Sequence, residues 1–171
     1  PDFSQVEADQ SKIDVNSTTA LRFDEKRIFF NEGKDFLSSD LATVYTRSIN
    51  DPEYAIKLYN RGEKHSYYFL DAEDAATPII VPGYQRSYSG LLGSSHANIF
   101  SYNYNIEKGQ SIGFLATNRD YEEGGSSSLY SLKGNFLFND IYKTQFELVS
   151  TNMDEPISNV INTTNVSKEH T

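Results

Sequence analysis

Histidine, serine and cysteine are common catalytic side chains, and their pattern in this chain indicates no catalytic site. The three histidines are His65, His96 and His170, and no two of them have the spacing of a metal-binding pair. One serine, Ser111 in Gly109-Gln-Ser-Ile-Gly113, matches the short Gly-x-Ser-x-Gly pattern of serine hydrolases. It lies where a short joint leads into a predicted strand, not in the strand-to-helix turn that the motif requires. Cysteine is absent, which excludes disulfides, thiolate metal sites and a cysteine nucleophile. We therefore predict no catalytic, metal-binding or cofactor-binding residues.

Acidic side chains cluster at two places along the chain. Asp71, Glu73 and Asp74 lie together, and Glu122 and Glu123 form a second group. Neither group has the loop pattern of known calcium motifs, and no carboxylate pair is singled out for glycoside hydrolysis among the many present. The plainest interpretation is two solvated acidic loops. If both loops share one rim, they form an acidic mouth that favours cations.

The composition limits the partners. At 171 residues the chain fits one domain or a piece of a larger one. Its net charge of −9 argues against nucleic acid, because neutralising phosphates requires Lys and Arg. No apolar run reaches the roughly 18–20 residues of a membrane helix. The chain opens at Pro1 without a signal peptide, so we expect a fragment of a longer protein.

The elements that must position these side chains are strands. From Ser95 to Ser150 apolar and polar residues alternate in four consecutive runs, and a period of two predicts strands with one apolar face. The apolar positions are Phe100, Tyr102, Tyr104 and Ile106; Ile112, Phe114 and Ala116; Tyr130, Leu132, Phe136 and Phe138; Tyr142, Phe146 and Leu148. Two earlier runs, Tyr54–Tyr59 and His65–Asp71, flank a glycine-containing turn. The predicted fold class is all-β, an antiparallel up-and-down meander.

The first 53 residues are less regular. Residues 11–23 alternate as a strand does, residues 23–33 read as an ordered turn or short helix that stops at Gly33, and residues 41–49 are a second candidate strand. We therefore divide the chain into an N-terminal plug or linker segment (1–53), strand hairpins (54–151) and a polar loop or the start of a next segment (152–171).

The joints between the runs alternate short and long. Residues 60–64, 107–109 and 139–140 are short joints, whereas residues 72–95 and 119–128 are long ones. In a meander the short joints then share one end, as they do in outer-membrane barrels. A soluble sandwich, or a lipocalin-like barrel that binds a small apolar ligand, shows the same alternation. The pattern alone leaves both classes open.

Several motifs resemble a bacterial protein family. Residues 1–9, PDFSQVEAD, are similar to the family's NPDFSQVEAD, and residues 23–33, FDEKRIFFNEG, are similar to its FPEKRPFFLEG with Asp24 and Ile28 in place of the prolines. Residues 45–49, YTRSI, resemble its YSRRI. The family consists of uncharacterised outer-membrane proteins in which a carbohydrate-binding family 9-like domain precedes a β-barrel domain of unknown function.

The resemblance implies location and architecture. It predicts a partial transmembrane β-barrel in the bacterial outer membrane, with apolar strand faces on lipid and polar faces on the lumen. The expected role is non-enzymatic, in transport, binding or anchoring, with outer-membrane lipid as the partner and glycans reached through an upstream domain. Some family members are labelled membrane-associated hydrolases, so that alternative stays open.

One charged run falls among apolar residues in the N-terminal segment. Asp24, Glu25, Lys26 and Arg27 form this run. Charges rarely face lipid because unpaired burial is costly. We therefore predict a lumen charge cluster, paired with polar groups of the strands, in a plug or inward-folded segment. A plain periplasmic linker is the alternative.

Overall fold

The structure, a computed structural model, describes residues 25–154 except 40, 42, 43, 45, 83–86, 108 and 140. The predictions for residues 1–9, for the strand at 11–23, for Asp24 and for the tail from 155 lie outside the described residues. Within this part, the strands are β1 (Pro52–Arg61), β2 (His65–Asp74), β3 (Thr77–Pro82), β4 (Ser87–Leu92), β5 (Ser95–Asn105), β6 (Ser111–Tyr121), β7 (Ser126–Phe138) and β8 (Tyr142–Asp154).

Short helical turns precede the strands. Helix α1 (Ile28–Asn31) is the short helix that the sequence predicts, and Gly33 follows it with a left-handed φ of 78° that glycine adopts without strain. Two 3₁₀ turns follow at Lys34–Leu37 and Thr46–Ser48. The strand predicted at 41–49 is wrong for the described residues of that range, which carry the second 3₁₀ turn. Among the described residues, no helix has the length and apolar character that crossing a membrane requires.

Six of the strands form one antiparallel sheet in the order β1–β2–β5–β6–β7–β8. This confirms the predicted all-β antiparallel meander. The sheet is not closed, and β1 and β8 are its edges in the part of the chain that the structure describes. The turns at 62–64, 106–110 and 139–141 lie at one end of the sheet, here called the turn end. The opposite end is called the loop end.

The two long joints differ from the prediction. Between β2 and β5, strands β3 and β4 pair as a two-stranded ribbon, with Thr77 opposite Leu92, so the β2–β5 hairpin continues beyond the main sheet. Pro78 and Pro82 suggest a loop, but each strand of such a ribbon has a free edge where a missing N–H is tolerated. The other joint is short, because β6 reaches Tyr121 and β7 begins at Ser126. Only one long connection therefore remains.

The two faces of the sheet have different surroundings. Residues 25–49 pack on one side, here called the covered face, and the other side is called the open face. Phe30, Phe36, Leu37 and Ile49 of the N-terminal segment form one buried cluster with strand residues of the covered face. Those strand residues are Tyr68, Leu70, Ala72, Ala97, Ile99 and Leu115. The core therefore lies between the segment and β2, β5 and β6.

Candidate functional site

The open face carries a continuous apolar surface. In the strand register, one row across five strands consists of Leu58, Phe69, Phe100, Ala116 and Tyr130. The next row toward the turn end consists of Tyr67, Tyr102, Phe114, Leu132 and Leu148. Leu58 is 59% exposed and Leu148 is 64% exposed. Soluble monomers rarely expose contiguous apolar patches beyond a few hundred Å², so this surface needs a functional explanation.

On β2 and on β5 to β8 the apolar surface has a sharp boundary toward the loop end. The neighbouring row there consists of Asp71, Asn98, Asn118, Ser128 and Asn152. The following row consists of Glu73, His96, Asp120, Ser126 and Asp154. On β1 the same two rows hold Ile56 and Tyr54, both exposed, so the apolar surface extends further toward the loop end at that edge. The open face is therefore a band, apolar toward the turn end and polar at the loop end on every strand except β1.

Aromatic side chains close the band toward the turn end. The rings of Phe136 and Phe146 stack at 6.1 Å with an interplanar angle of 13°. Gly134 lies beneath them, and a Cβ at that position would sit 2.4 Å from Phe146 Cε1. Phe138 and Tyr142 pair in the last register position and are exposed. The missing side chain of Gly134 thus allows the rings to cover the strand backbone.

On the covered side, Glu25 and Arg27 form a buried ion pair. Arg27 Nε and Nη2 each donate to one Glu25 carboxylate oxygen at 2.9 Å, and Arg27 Nη1 donates to the Ile49 carbonyl at 2.7 Å. Burial alone raises the pKa of Glu25, but hydrogen bonds from Arg27 and Thr46, together with the Arg27 charge, outweigh it and leave that pKa below its ordinary value. Lys26 is exposed.

The Arg27 partners differ from the strand polar groups that the sequence suggested. Arg27 bonds to Glu25, to the Thr46 carbonyl at 3.3 Å and to the Ile49 carbonyl, all within the N-terminal segment. The pair therefore joins the start of the segment to its last turn. It fixes the segment's own shape rather than its attachment to the sheet.

The predicted acidic residues fall in two different environments. Asp71 lies on the open face, where its Oδ2 is 3.0 Å from His96 Nε2. Glu122 accepts a hydrogen bond from the Ser94 hydroxyl, so the two connections touch at the loop end. Glu73 is half-buried and Glu123 is exposed.

Asp74 is separated from this group because it is fully buried. Its Oδ1 accepts the Asp51 N–H at 2.7 Å and its Oδ2 accepts the Asn50 N–H at 3.1 Å. The sequence placed Asp74 on a solvated rim, but its β2 position alternates with that of Glu73 and points to the covered face. The two hydrogen bonds that Asp74 accepts from Asn50 and Asp51 attach the end of the N-terminal segment to β2.

A cavity next to Asp74 contains a group that the sequence did not single out. Arg119 on β6 donates to the Ser48 carbonyl at 3.1 Å, and its Nη2 is 3.7 Å from Asp74 Oδ2 without a hydrogen-bond partner. The cavity measures about 260 Å³ and is lined partly by Thr77 and Tyr121. The alternation of β6 does place Arg119 on the covered face, but no local motif indicates its partner.

No described group of three or more His, Asp or Glu side chains could hold a metal ion. Comparisons of the chain with protein-family models, with curated proteins and with solved structures found no match.

Proposed function

We propose that this chain forms part of the wall of a bacterial outer-membrane β-barrel, with its open face on lipid and its covered face on the lumen. The observation that supports the proposal is the band of exposed apolar side chains on the face opposite the packed segment. β1 has 10 residues and β8 has 13, against the roughly 9–11 that a transmembrane strand needs. The motif resemblance at residues 1–49 points to the same class.

The proposal assigns a non-enzymatic role in transport, binding or anchoring. A soluble barrel of the lipocalin type turns its apolar face inward, toward a ligand. Here the covered face is occupied by Phe30, Phe36 and Leu37, whereas the exposed apolar side chains lie on the opposite, open face. This arrangement favours the membrane class over a soluble binder. Contact with glycans would come from an upstream domain of the resembled type.

Charge scanning of the open face tests the proposal. In full-length protein reconstituted with phospholipid vesicles, we expect Leu132→Lys to lower the free energy of unfolding by about 2–4 kcal/mol, the range for a cation at the bilayer midplane. The matched control is Ser128→Lys, on the same face of β7 but in the polar row. Its expected cost is about 0–1 kcal/mol, as near an interface.

Solubility gives the decisive outcome. The membrane proposal is overturned if the full-length protein stays monodisperse without detergent and if Leu132→Lys lowers the free energy of unfolding no more than Ser128→Lys does. Extraction that requires detergent, together with the depth-dependent cost of lysine, would support it.

A further inference from the structure

The described residues of the N-terminal segment between 25 and 50 contact strands at both edges of the sheet, β1 and β8. At β1, Lys57 Nζ donates to the Glu32 carbonyl at 3.0 Å. At β5, Ser101 Oγ donates to the Phe36 carbonyl at 2.8 Å. The segment therefore contacts several strands of the covered face instead of lying along a single strand.

A separate group of polar contacts holds the far side of the segment. The Glu147 carboxylate on β8 accepts the Ser39 hydroxyl at 2.7 Å and the Leu41 N–H at 3.3 Å. Lys133 Nζ on β7 donates to the Ser38 carbonyl at 2.8 Å. These five residues are called the latch. They join the segment to the two last strands of the described sheet.

The two sides of the segment are held by different forces. Near β2 and β5, Phe30, Phe36 and Leu37 are buried in the core cluster. At the latch, hydrogen bonds join the segment to Glu147 and Lys133, and Glu147 also accepts the Ser131 hydroxyl at 2.7 Å within the sheet. Hydrogen bonds to charged groups contribute about 1.5–3 kcal/mol each, but at these partly exposed positions water can take the place of the segment's groups. A cavity of about 310 Å³ adjoins the latch and is lined partly by Asn103 and Gln145. The latch side can therefore open while the apolar side stays packed.

We infer that the latch is a gate, and that its release opens a path for small polar solutes between the N-terminal segment and β7–β8. The inference rests on the proposed function, because it assumes that the covered face lines a barrel lumen. The cavity is lined by one cation, Lys133, one anion, Glu147, by amide and hydroxyl side chains, and by one aromatic residue, Phe146. Such a mostly polar lining suits small polar solutes, because it offers both hydrogen-bond donors and acceptors.

These 171 residues contain no cysteine, so thiols introduced at the latch can be tested in full-length protein in which any cysteine elsewhere is replaced by serine. In the Ser39→Cys/Glu147→Cys double variant, the hydrogen bonds of Glu147 to the segment are absent while both thiols are reduced. A short thiol-specific cross-linker then joins the segment covalently to β8. In planar bilayers with potassium chloride, we expect the reduced full-length variant to be open about tenfold more often than the wild type. Cross-linking should return it to the wild-type level. The Glu147→Cys single variant, which loses both Glu147 bonds of the latch, should stay open when treated with the same reagent.

The outcomes separate the gate from the membrane proposal. Insertion is measured first by flotation with the same lipid vesicles. If the protein inserts, equal conductance of the wild type and the reduced double variant overturns the gate, as does conductance that cross-linking leaves unchanged. If it does not insert, the proposed function fails and the latch is measured in solution. Asn103→Cys on the cavity wall should then react faster with a thiol reagent when Glu147→Ala is added, and an equal rate overturns the latch.

Discussion

Replacement of Arg27 by methionine should be among the most damaging single changes in the N-terminal segment. The side chains of Arg27 and Glu25 are each 3% exposed, and Arg27 also donates to the carbonyls of Thr46 and Ile49. Arg27→Met keeps most of the aliphatic volume but leaves the Glu25 carboxylate buried without its cation. Removing one partner of a buried pair costs about 3–5 kcal/mol. We expect a loss of that size in the free energy of unfolding.

Urea unfolding in detergent, followed by tyrosine fluorescence, measures this loss, because the chain has 12 tyrosines and no tryptophan. The matched control is Arg61→Met. Arg61 also pairs with an aspartate of the segment, Asp35, but both side chains are largely exposed, at 64% and 58%. Exposed pairs contribute about 0–1 kcal/mol. If Arg27→Met costs no more than Arg61→Met, the pair is solvated and the reasoning fails.

The Glu25→Gln/Arg27→Met double variant shows where the cost arises. Because it removes the stranded charge as well as its partner, it should be more stable than Arg27→Met alone. A double variant no more stable than Arg27→Met would mean that the lost carbonyl contacts, which both variants lack, account for the cost instead of the stranded carboxylate.

Three further predictions follow from the buried groups. Tyr68→Phe should leave the free energy of unfolding unchanged or raise it slightly, because the Tyr68 hydroxyl is buried without a hydrogen-bond partner. The control Leu70→Ala, in the same core, should lower that free energy by about 2–5 kcal/mol. A large loss of stability in Tyr68→Phe would contradict this prediction. Gly134→Ala should cost about 1–3 kcal/mol in urea unfolding, because its Cβ collides with Phe146, and Phe146→Leu in the same chain should recover part of that loss. The pKa of Glu25 lies below its unfolded value of about 4.5. The stability that ionised Glu25 gives is therefore complete above that pH and is lost as the pH falls through the lower folded pKa. The melting temperatures of wild type and Glu25→Gln should converge on acidification, and a gap that stays constant with pH would refute the lowered pKa of Glu25.

The strand pattern predicted the open face well because alternation is a local property. Tyr130, Leu132 and Phe138 are two or more residues apart on one strand, and a period of two places them on one side whatever the rest of the chain does. The same argument gave the four runs that became β5 to β8. The turn chemistry was less informative. Pro78 and Pro82 marked a loop, although they belong to the β3–β4 ribbon.

The partners on the covered face could not be predicted from the sequence, because they are set by tertiary packing. Arg119 and Asp74 are far apart in the chain and meet only when β2 and β6 flank β5. Glu147 lies between the apolar positions Phe146 and Leu148, so alternation places it on the polar face of its strand. Nothing local indicates that Ser39 and Leu41 would reach it.

The covered face changes in character from one side of the sheet to the other. On β2 it presents Leu70 and Ala72, both buried. On β8 it presents Glu147 and exposed Thr151, but also half-buried Val149 and Met153, which is 65% exposed. The covered face is therefore dry beneath the N-terminal segment on β2 and mixed in polarity on β8. The membrane proposal accommodates such a face, because the interior of an outer-membrane barrel can be filled by a segment on one side and hydrated on the other.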